Sequence, residues 1–482
     1  MSRSEVISVS NVMGNDENLY EALTYDLAFQ PVPAPMRKGP IAMSLLWLAT
    51  QTTFPTMFIG FTAQQSGLPL QGLIMGCVIG TVLLSVYGIL AGYLGAKTGL
   101  MQPILTRMIF GRVGMVVVSI FLVVMGIGWY SFQAVYTGQL VSGILSWTIA
   151  PTVIAVIFTV LMATNNTIGF KGVGTYGRYV APIVFAWVLY SVIKVFTTTP
   201  SSVLWAKPHL PLTTSVIAIA TLIVGSGVWG NEPDFWRFSR NKWSYVAFSM
   251  GIANVIGLFV FPITGWAMGL LAHSANPAKQ SQFIVHYSLF GLLSLGALII
   301  VVSQFALNDS NLYEAVNAVS NLFGMRRMIA VSLLVALGVV ISLWMSHGSS
   351  ETVFFIVAGI GASSVPTATS IMIVDTLLVP KILGVKRPLT WVPDWHSLRW
   401  TNWIAVSALL VGVVVSIVFS IPGNVLPGIG VSLGIAPVEG WLGAVIFYVA
   451  VIFVRRNDPS TMRALGYHLK ESASISQRLS DE

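Results

Sequence analysis

The chain of 482 residues is 55% hydrophobic and only 9% charged, with a mean hydropathy of +0.80. Soluble domains carry about 25% charged residues, so this composition excludes a large soluble core and implies a polytopic membrane protein. A net charge of +8 would suit nucleic-acid binding, but cytoplasmic Lys/Arg bias is the commoner cause in a membrane protein, and no nucleic-acid partner is expected.

Residues 1–36 are polar and include Asp16, Glu17, Glu21 and Asp26, unlike a cleavable signal peptide. Residues 1–39 are therefore expected to form a cytosolic tail. Apolar runs follow at 41–62, 70–95, 114–144, 149–165, 178–196, 213–231, 245–272, 288–320, 329–346, 353–379, 402–421 and 431–454. Their length and the lack of period-two alternation predict twelve transmembrane helices in an all-α membrane protein. With the N-terminus inside, every basic residue except Lys194, Lys207 and Lys279 falls on the cytoplasmic side. So one-sided a split supports the helix count and places both termini in the cytoplasm, in a plasma or bacterial inner membrane. The lone Cys77 excludes an intramolecular disulfide and a cysteine-rich metal site.

Two of these helices are broken. The first is interrupted by Thr-Gln-Thr-Thr-Phe-Pro, Thr50 to Pro55, and the sixth by the glycines, Asn231 and Pro233 of the stretch 225–233. An interior proline removes a backbone hydrogen bond and clashes with the preceding turn. Freed backbone groups at membrane depth must be buried in protein or line a polar cavity. The two breaks occupy matching places in successive groups of five helices of opposite direction. That pattern points to an inverted repeat with its site at the breaks, divided as 40–200, 201–380, two last helices over 381–455 and a tail at 456–482. Proline and glycine are also common in membrane helices without any such role.

In the third run, Trp129 and Gln133 stand four apart, on one helical face. An indole face stacks on a planar ring, and a carboxamide offers donors and an acceptor to a heterocycle edge; the same pair also fits ordinary interhelical packing. In the eighth run, Ser303, Asn308, Asp309 and Asn311 bring polar groups close to mid-membrane, where they usually face a bundle interior. For Asp309, a place at the cytoplasmic water boundary is the alternative. No His-x-x-x-His pair, paired-carboxylate cluster or phosphate loop occurs. No metal, no cofactor and no ATP-driven pump is expected, and an intramembrane enzyme lacks a nucleophile–base pair.

Several segments together resemble nucleobase–cation symporter-1 proteins, more narrowly the purine–cytosine permeases. They are Gly92-Tyr93-Leu94-Gly95-Ala96-Lys97-Thr98-Gly99-Leu100, Gly128-Trp129-Tyr130, Asp234-Phe235-Trp236-Arg237-Phe238, Asn308-Asp309-x-x-Leu312-Tyr313 and Ile373-Val374-Asp375. The matches run in order from about residue 40 to 380. The resemblance implies a five-plus-five inverted-repeat (LeuT-like) fold with two further helices, importing a planar heterocycle by alternating access. It places Phe54 and Trp129 where relatives sandwich the base, Gln133 where some relatives carry an amide, and Ser303 and Asn308 beside the base. Relatives' second aromatic falls on Gly225, a departure that leaves either Trp229, one turn on, to supply the ring or a one-sided stack.

Sodium-coupled relatives carry two adjacent hydroxyl residues on the eighth helix, where this chain has Ala306 and Leu307. A hard cation wants oxygen ligands, and the backbone near Thr50 and Thr53 alone makes an incomplete shell. The expectation is therefore a proton-coupled importer of a nucleobase such as cytosine or a purine, with Asp309 and Glu232 as proton carriers. Sodium-coupled uptake of allantoin, hydantoin or a pyrimidine vitamin precursor is the alternative, and a passive channel for small polar solutes the reading of another class. The residues leave the oligomeric state open.

Overall fold

The computed structural model describes residues 30–52, 54–146, 150–167, 170–206, 210–274, 276–383, 398–420 and 434–459. Most of both expected tails, together with Thr53, lies outside them. The first expected span is split into α1 (Pro40–Gln51) and α2 (Phe54–Gln65). Thr52 between them has left the helix (φ −94°, ψ 73°), and Thr56 Oγ1 donates to the carbonyl of Gln51, satisfying one acceptor that the break sets free. Next come α3 (Leu70–Thr98), α4 (Gln102–Leu145), α5 (Pro151–Leu161) and α6 (Phe170–Thr198). The second break separates α7 (Leu212–Gly227) from the short α8 (Glu232–Trp236). Then α9 (Trp243–Ala272), α10 (Pro277–Ser288), α11 (Leu293–Phe323), α12 (Arg327–Met345), α13 (Ser350–Ile373), α14 (Trp403–Ser420) and α15 (Ala436–Arg455) complete the order. Among the described residues, eight helices are long and apolar enough to cross a membrane, and three shorter apolar helices cover 151–161, 212–227 and 403–419.

Two features depart from the apolar pattern. The eighth run was expected from residue 288, but Phe290 and Gly291 both turn left-handed (φ 54° and 76°) and separate α10 from α11. Asn276 caps α10 by accepting from the N–H groups of Ala278 and Lys279. In α4, Gly111 at φ 77° bends the helix, and the freed N–H groups of Arg112 and Val113 donate to the carbonyls of Arg399 and Trp400. Only glycine holds that conformation without strain.

In lipid, helices associate through close backbone approach at small residues, and α3 shows why its glycines recur every four positions. A Cβ added at Gly72, Gly76 or Gly80 would stand 2.6 Å from the Cβ of Ser215, Ile219 or Ile223 on α7. The spacing of four makes one ridge per helix, so the two interlock along their length. The approach of α2 to α9 is tighter still: a Cβ at Gly60 would lie 1.8 Å from Pro262 O, and one at Gly265 would lie 1.9 Å from Met57 O. These contacts join α1, α2, α3, α7, α8 and α9 into one body, and α4 packs with α5, α11 and α12 into a second.

Candidate functional site

A cavity opens between these two bodies, at the two breaks. Its wall is built from Thr50 and Gln51 at the end of α1, Pro55 and Thr56 at the start of α2, and Ser226, Val228 and Trp229 at the second break. The other body contributes Met125, Trp129 and Gln133 from α4, and Leu307, Asn311 and Glu314 from α11. Residues 125, 129 and 133 repeat every turn, as do 307, 311 and 314, so each helix presents a single stripe.

Local chemistry fixes the aromatic walls. The Trp129 ring meets the edges of Phe132 and Phe354, with centroids 5.9 and 5.8 Å away. Trp229 is held against Trp47 at 5.6 Å and against Phe235 at 5.8 Å. Gly230 allows the turn that places Trp229: its φ is +83°, and a Cβ there would stand 2.8 Å from Val365 and 2.9 Å from Pro366. Both indoles are 8% exposed, the residual surface that the cavity provides.

Polar side chains on the wall are positioned by others behind them. Gln304 Nε2 donates to Gln133 Oε1 at 2.9 Å, which orients the carboxamide with its NH₂ still a donor. Asn308 Nδ2 donates to the carbonyl of Tyr130 at 3.0 Å, and Asn308 Oδ1 accepts from Asn311 Nδ2 at 3.2 Å. Asn308 thus lies behind the wall and holds the Asn311 carboxamide. Replacing Gln304 by leucine leaves a buried Gln133 oxygen unpaired, at a cost of about 1–3 kcal/mol, and is expected to weaken substrate binding about tenfold while the chain stays folded; titration of the purified variant checks this.

Of the other residues singled out in the sequence, Thr50 lines the cavity, its Oγ1 donating to Trp47 O at 2.8 Å. Phe54 faces away from the cavity; its ring packs on Trp187 of α6 with centroids 5.6 Å apart. Gly225 lies toward α13, where an added Cβ would meet Ala358 at 3.8 Å, and Ser226 takes the wall position beside it. Ser303 Oγ donates to its own helix at Ile300 O. Asp309 is fully buried rather than at a water boundary; its carbonyl accepts from Asn166, and its carboxylate lies beside Tyr130.

The second break is rich in carboxylates. Glu232, 2% exposed, turns back on the N–H groups of Trp229 and Gly230 and so covers the freed end of the helix. Asp234 accepts from Gln102 N at 2.6 Å and Asn317 Nδ2 at 3.4 Å and lies beside the Arg237 guanidinium. Glu314, 1% exposed, lines the cavity opposite them. It is the site residue that sequence reasoning passed over, although its spacing from Leu307 and Asn311 marks the same face. No group of three or more His, Cys, Asp or Glu able to hold a metal occurs among the described residues.

Residues 31–443 match the profile of a family described as "Permease for cytosine/purines, uracil, thiamine, allantoin". The chain is 25% identical over 433 residues to a cytosine permease of Escherichia coli K12, covering 87% of this chain and 92% of that one. It is 23% identical over 462 residues to a purine–uracil permease of Arabidopsis thaliana, covering 86% and 74%. Its fold is that of Mhp1, a nucleobase–cation-symport-1 family transporter in a closed conformation with bromovinylhydantoin bound, at a TM-score of 0.70 and 16% identity over 91% of this chain and 98% of that one. The LeuT-like architecture that the family resemblance implies is thus present, and the chain belongs to the nucleobase–cation symporter-1 family of membrane permeases.

Proposed function

We propose that the protein imports a nucleobase or closely related planar heterocycle, of the cytosine or purine kind, by alternating access and coupled to protons. The observation that carries this reading is the cavity itself, with one indole from each of two bodies and carboxamides on the same wall. Trp129 and Trp229 offer π-faces to a flat ring, while Gln133 and Asn311 offer donors and acceptors to its edge. Because the walls come from separate bodies, rocking one against the other would expose a fixed site to alternate sides. Phe54, Ser303 and Asn308 support this site from behind, and Gly225 leaves room next to Ser226.

Proton rather than sodium coupling is favoured by Leu307, whose isobutyl group stands on the cavity wall where sodium-coupled relatives place a hydroxyl. Thr50 Oγ1 donates to its own helix and keeps its lone pairs, but one hydroxyl oxygen alone makes an incomplete shell for a hard cation. We assign both termini to the cytoplasm from the distribution of basic residues, and place the protein in a plasma or bacterial inner membrane as an importer. Its partners are then the heterocycle, the proton and the lipid bilayer.

Uptake of radiolabelled cytosine into proteoliposomes tests this reading, with a panel of unlabelled purines, uracil, allantoin, hydantoin and a pyrimidine vitamin precursor as competitors. The expected result is accumulation above the outside concentration under an imposed proton gradient. Stimulation by sodium alone would overturn the coupling, and equilibration without accumulation would indicate a channel.

A further inference from the structure

We propose that Glu314 holds the coupled proton, and that its carboxyl group links protonation to the separation of the two bodies. This rests on the reading of the chain as a gradient-driven importer. Glu314 lies on α11, lines the cavity and is 1% exposed, and neither of its carboxylate oxygens has a hydrogen-bond partner. Its Cγ and Oε1 pack over Gly126 of α4, where an added Cβ would stand 3.0 Å from each. That glycine gives the carboxyl group its space and offers it no charge.

The charges around it come from three elements. On α8, Glu232 and Asp234 are close enough to Glu314 to repel its negative form, and the neutral Asn231 lies alongside. Tyr87 on α3 stands beside Glu232. On α11 itself, Asp309 is turned toward Tyr130 and Asn166. The cations are engaged elsewhere: Arg237 with Asp234 and Tyr313 OH, Arg107 with Asn321 O, and Arg327 with Asn166 and Asn317.

Glu314 is thus a buried, cavity-lining carboxyl group with two acidic residues of α8 in its surroundings, and the guanidinium of Arg237 lies beside Asp234. Like charges in a water-poor site repel, and a buried carboxyl group without a cation beside it favours its neutral form. Asp234 has a cation and two N–H donors, and Glu232 has backbone N–H donors; Glu314 has no cation and no backbone N–H beside it, only the neutral carboxamide of Asn231. The proton thus resides on a Glu314 oxygen when the cavity is closed. Its departure to water leaves a carboxylate facing Glu232 and Asp234 across the seam, and the repulsion favours separation of the bodies. Asp309, expected from the sequence as a carrier, lies off the cavity wall and has no such position.

The full-length protein in proteoliposomes decides the point. An inward gradient of one pH unit supports about tenfold accumulation of neutral cytosine when one proton accompanies each molecule. In E314Q the inside-to-outside ratio is expected to fall to about one, while counterflow against preloaded cytosine continues more slowly than in wild type. In E314D, accumulation should persist with a displaced pH profile. Wild-type protein supplies a readout free of folding defects: dicyclohexylcarbodiimide attacks protonated carboxyls shielded from water. The adduct mapped by mass spectrometry should sit on Glu314 and diminish as pH rises. Wild-type accumulation by E314Q, loss of both accumulation and counterflow in E314Q and E314D alike, or an adduct on Glu232 with Glu314 untouched would overturn the proposal. A wild-type protein that takes up no heterocycle counts instead against the proposed function, and the adduct still decides whether Glu314 holds a proton.

Discussion

Replacing Trp129 by alanine is expected to remove cytosine uptake at micromolar substrate while leaving a folded, monodisperse protein in detergent. The ring is the largest wall element on α4, and it packs against the edges of Phe132 and Phe354 and beside Gly361. Stacking of a base on an aromatic ring is worth about 1–3 kcal/mol, by analogy with single-strand binding, which corresponds to a loss of roughly 5- to 150-fold in affinity. Truncating a buried indole commonly costs about 3–5 kcal/mol, less here because the ring borders a cavity, and the loss should be seen as a lower melting temperature. Trp129→Phe should recover part of the affinity, because it restores a π-face of smaller area. The measurement is binding of labelled cytosine to purified variants; wild-type affinity in Trp129→Ala would remove the indole from the site.

A larger effect on the fold is expected at Gly265. An alanine there places its Cβ 1.9 Å from the backbone oxygen of Met57, and the reciprocal approach at Gly60 is 1.8 Å from the oxygen of Pro262. No flexible side-chain end is available to give way, so one helix must move as a whole. Overpacking commonly costs about 1–3 kcal/mol and more where relaxation is blocked. Gly265→Ala should therefore yield little folded protein after extraction. Gly251→Ala, on the same helix α9 with nothing within 4 Å of the added carbon, is the matched control. Alanine is favoured over glycine in a helix by about 1 kcal/mol, so this variant should melt at or above the wild-type temperature. Equal melting of the two variants in a thermal-shift assay would show that the α2–α9 contact yields easily.

How much of this was legible in the residues depends on which physical signal each feature leaves. Both helix breaks were, because Pro55 and the stretch from Gly225 to Pro233 weaken the helix through missing backbone bonds and glycine freedom within a few residues of where it ends, after Gln51 and after Gly227. The shared face of Trp129 and Gln133 was legible in their spacing of four, and Trp229 entered only through the family resemblance; all three line the cavity. Phe54 was not legible: its position at the break is local, but the direction of its ring depends on how α2 leaves Thr52, and that direction is toward Trp187. Glu314 escaped because the polar half of the eighth run read as an approach to water, whereas α11 keeps Asn311, Glu314, Asn317 and Asn321 buried. Register was lost in another way at the π turns Ile256–Val260 and Val374–Leu378. A single π turn adds one residue to the helix, about 100° of rotation, so positions beyond it no longer share the face that simple periodicity assigns.

The division of the cavity wall between two separately packed bodies has a thermodynamic consequence. A molecule seated there touches both bodies and neither holds it alone, so its binding is lost when they part or unfold. By mass action, an occupant at about 100 times its dissociation constant adds about 2.7 kcal/mol to the stability of the state that binds it. Heat resistance in detergent is therefore a report on occupancy that needs no membrane, gradient or label. A solute that raises the melting temperature of wild-type protein but not of Trp129→Ala identifies itself as cargo.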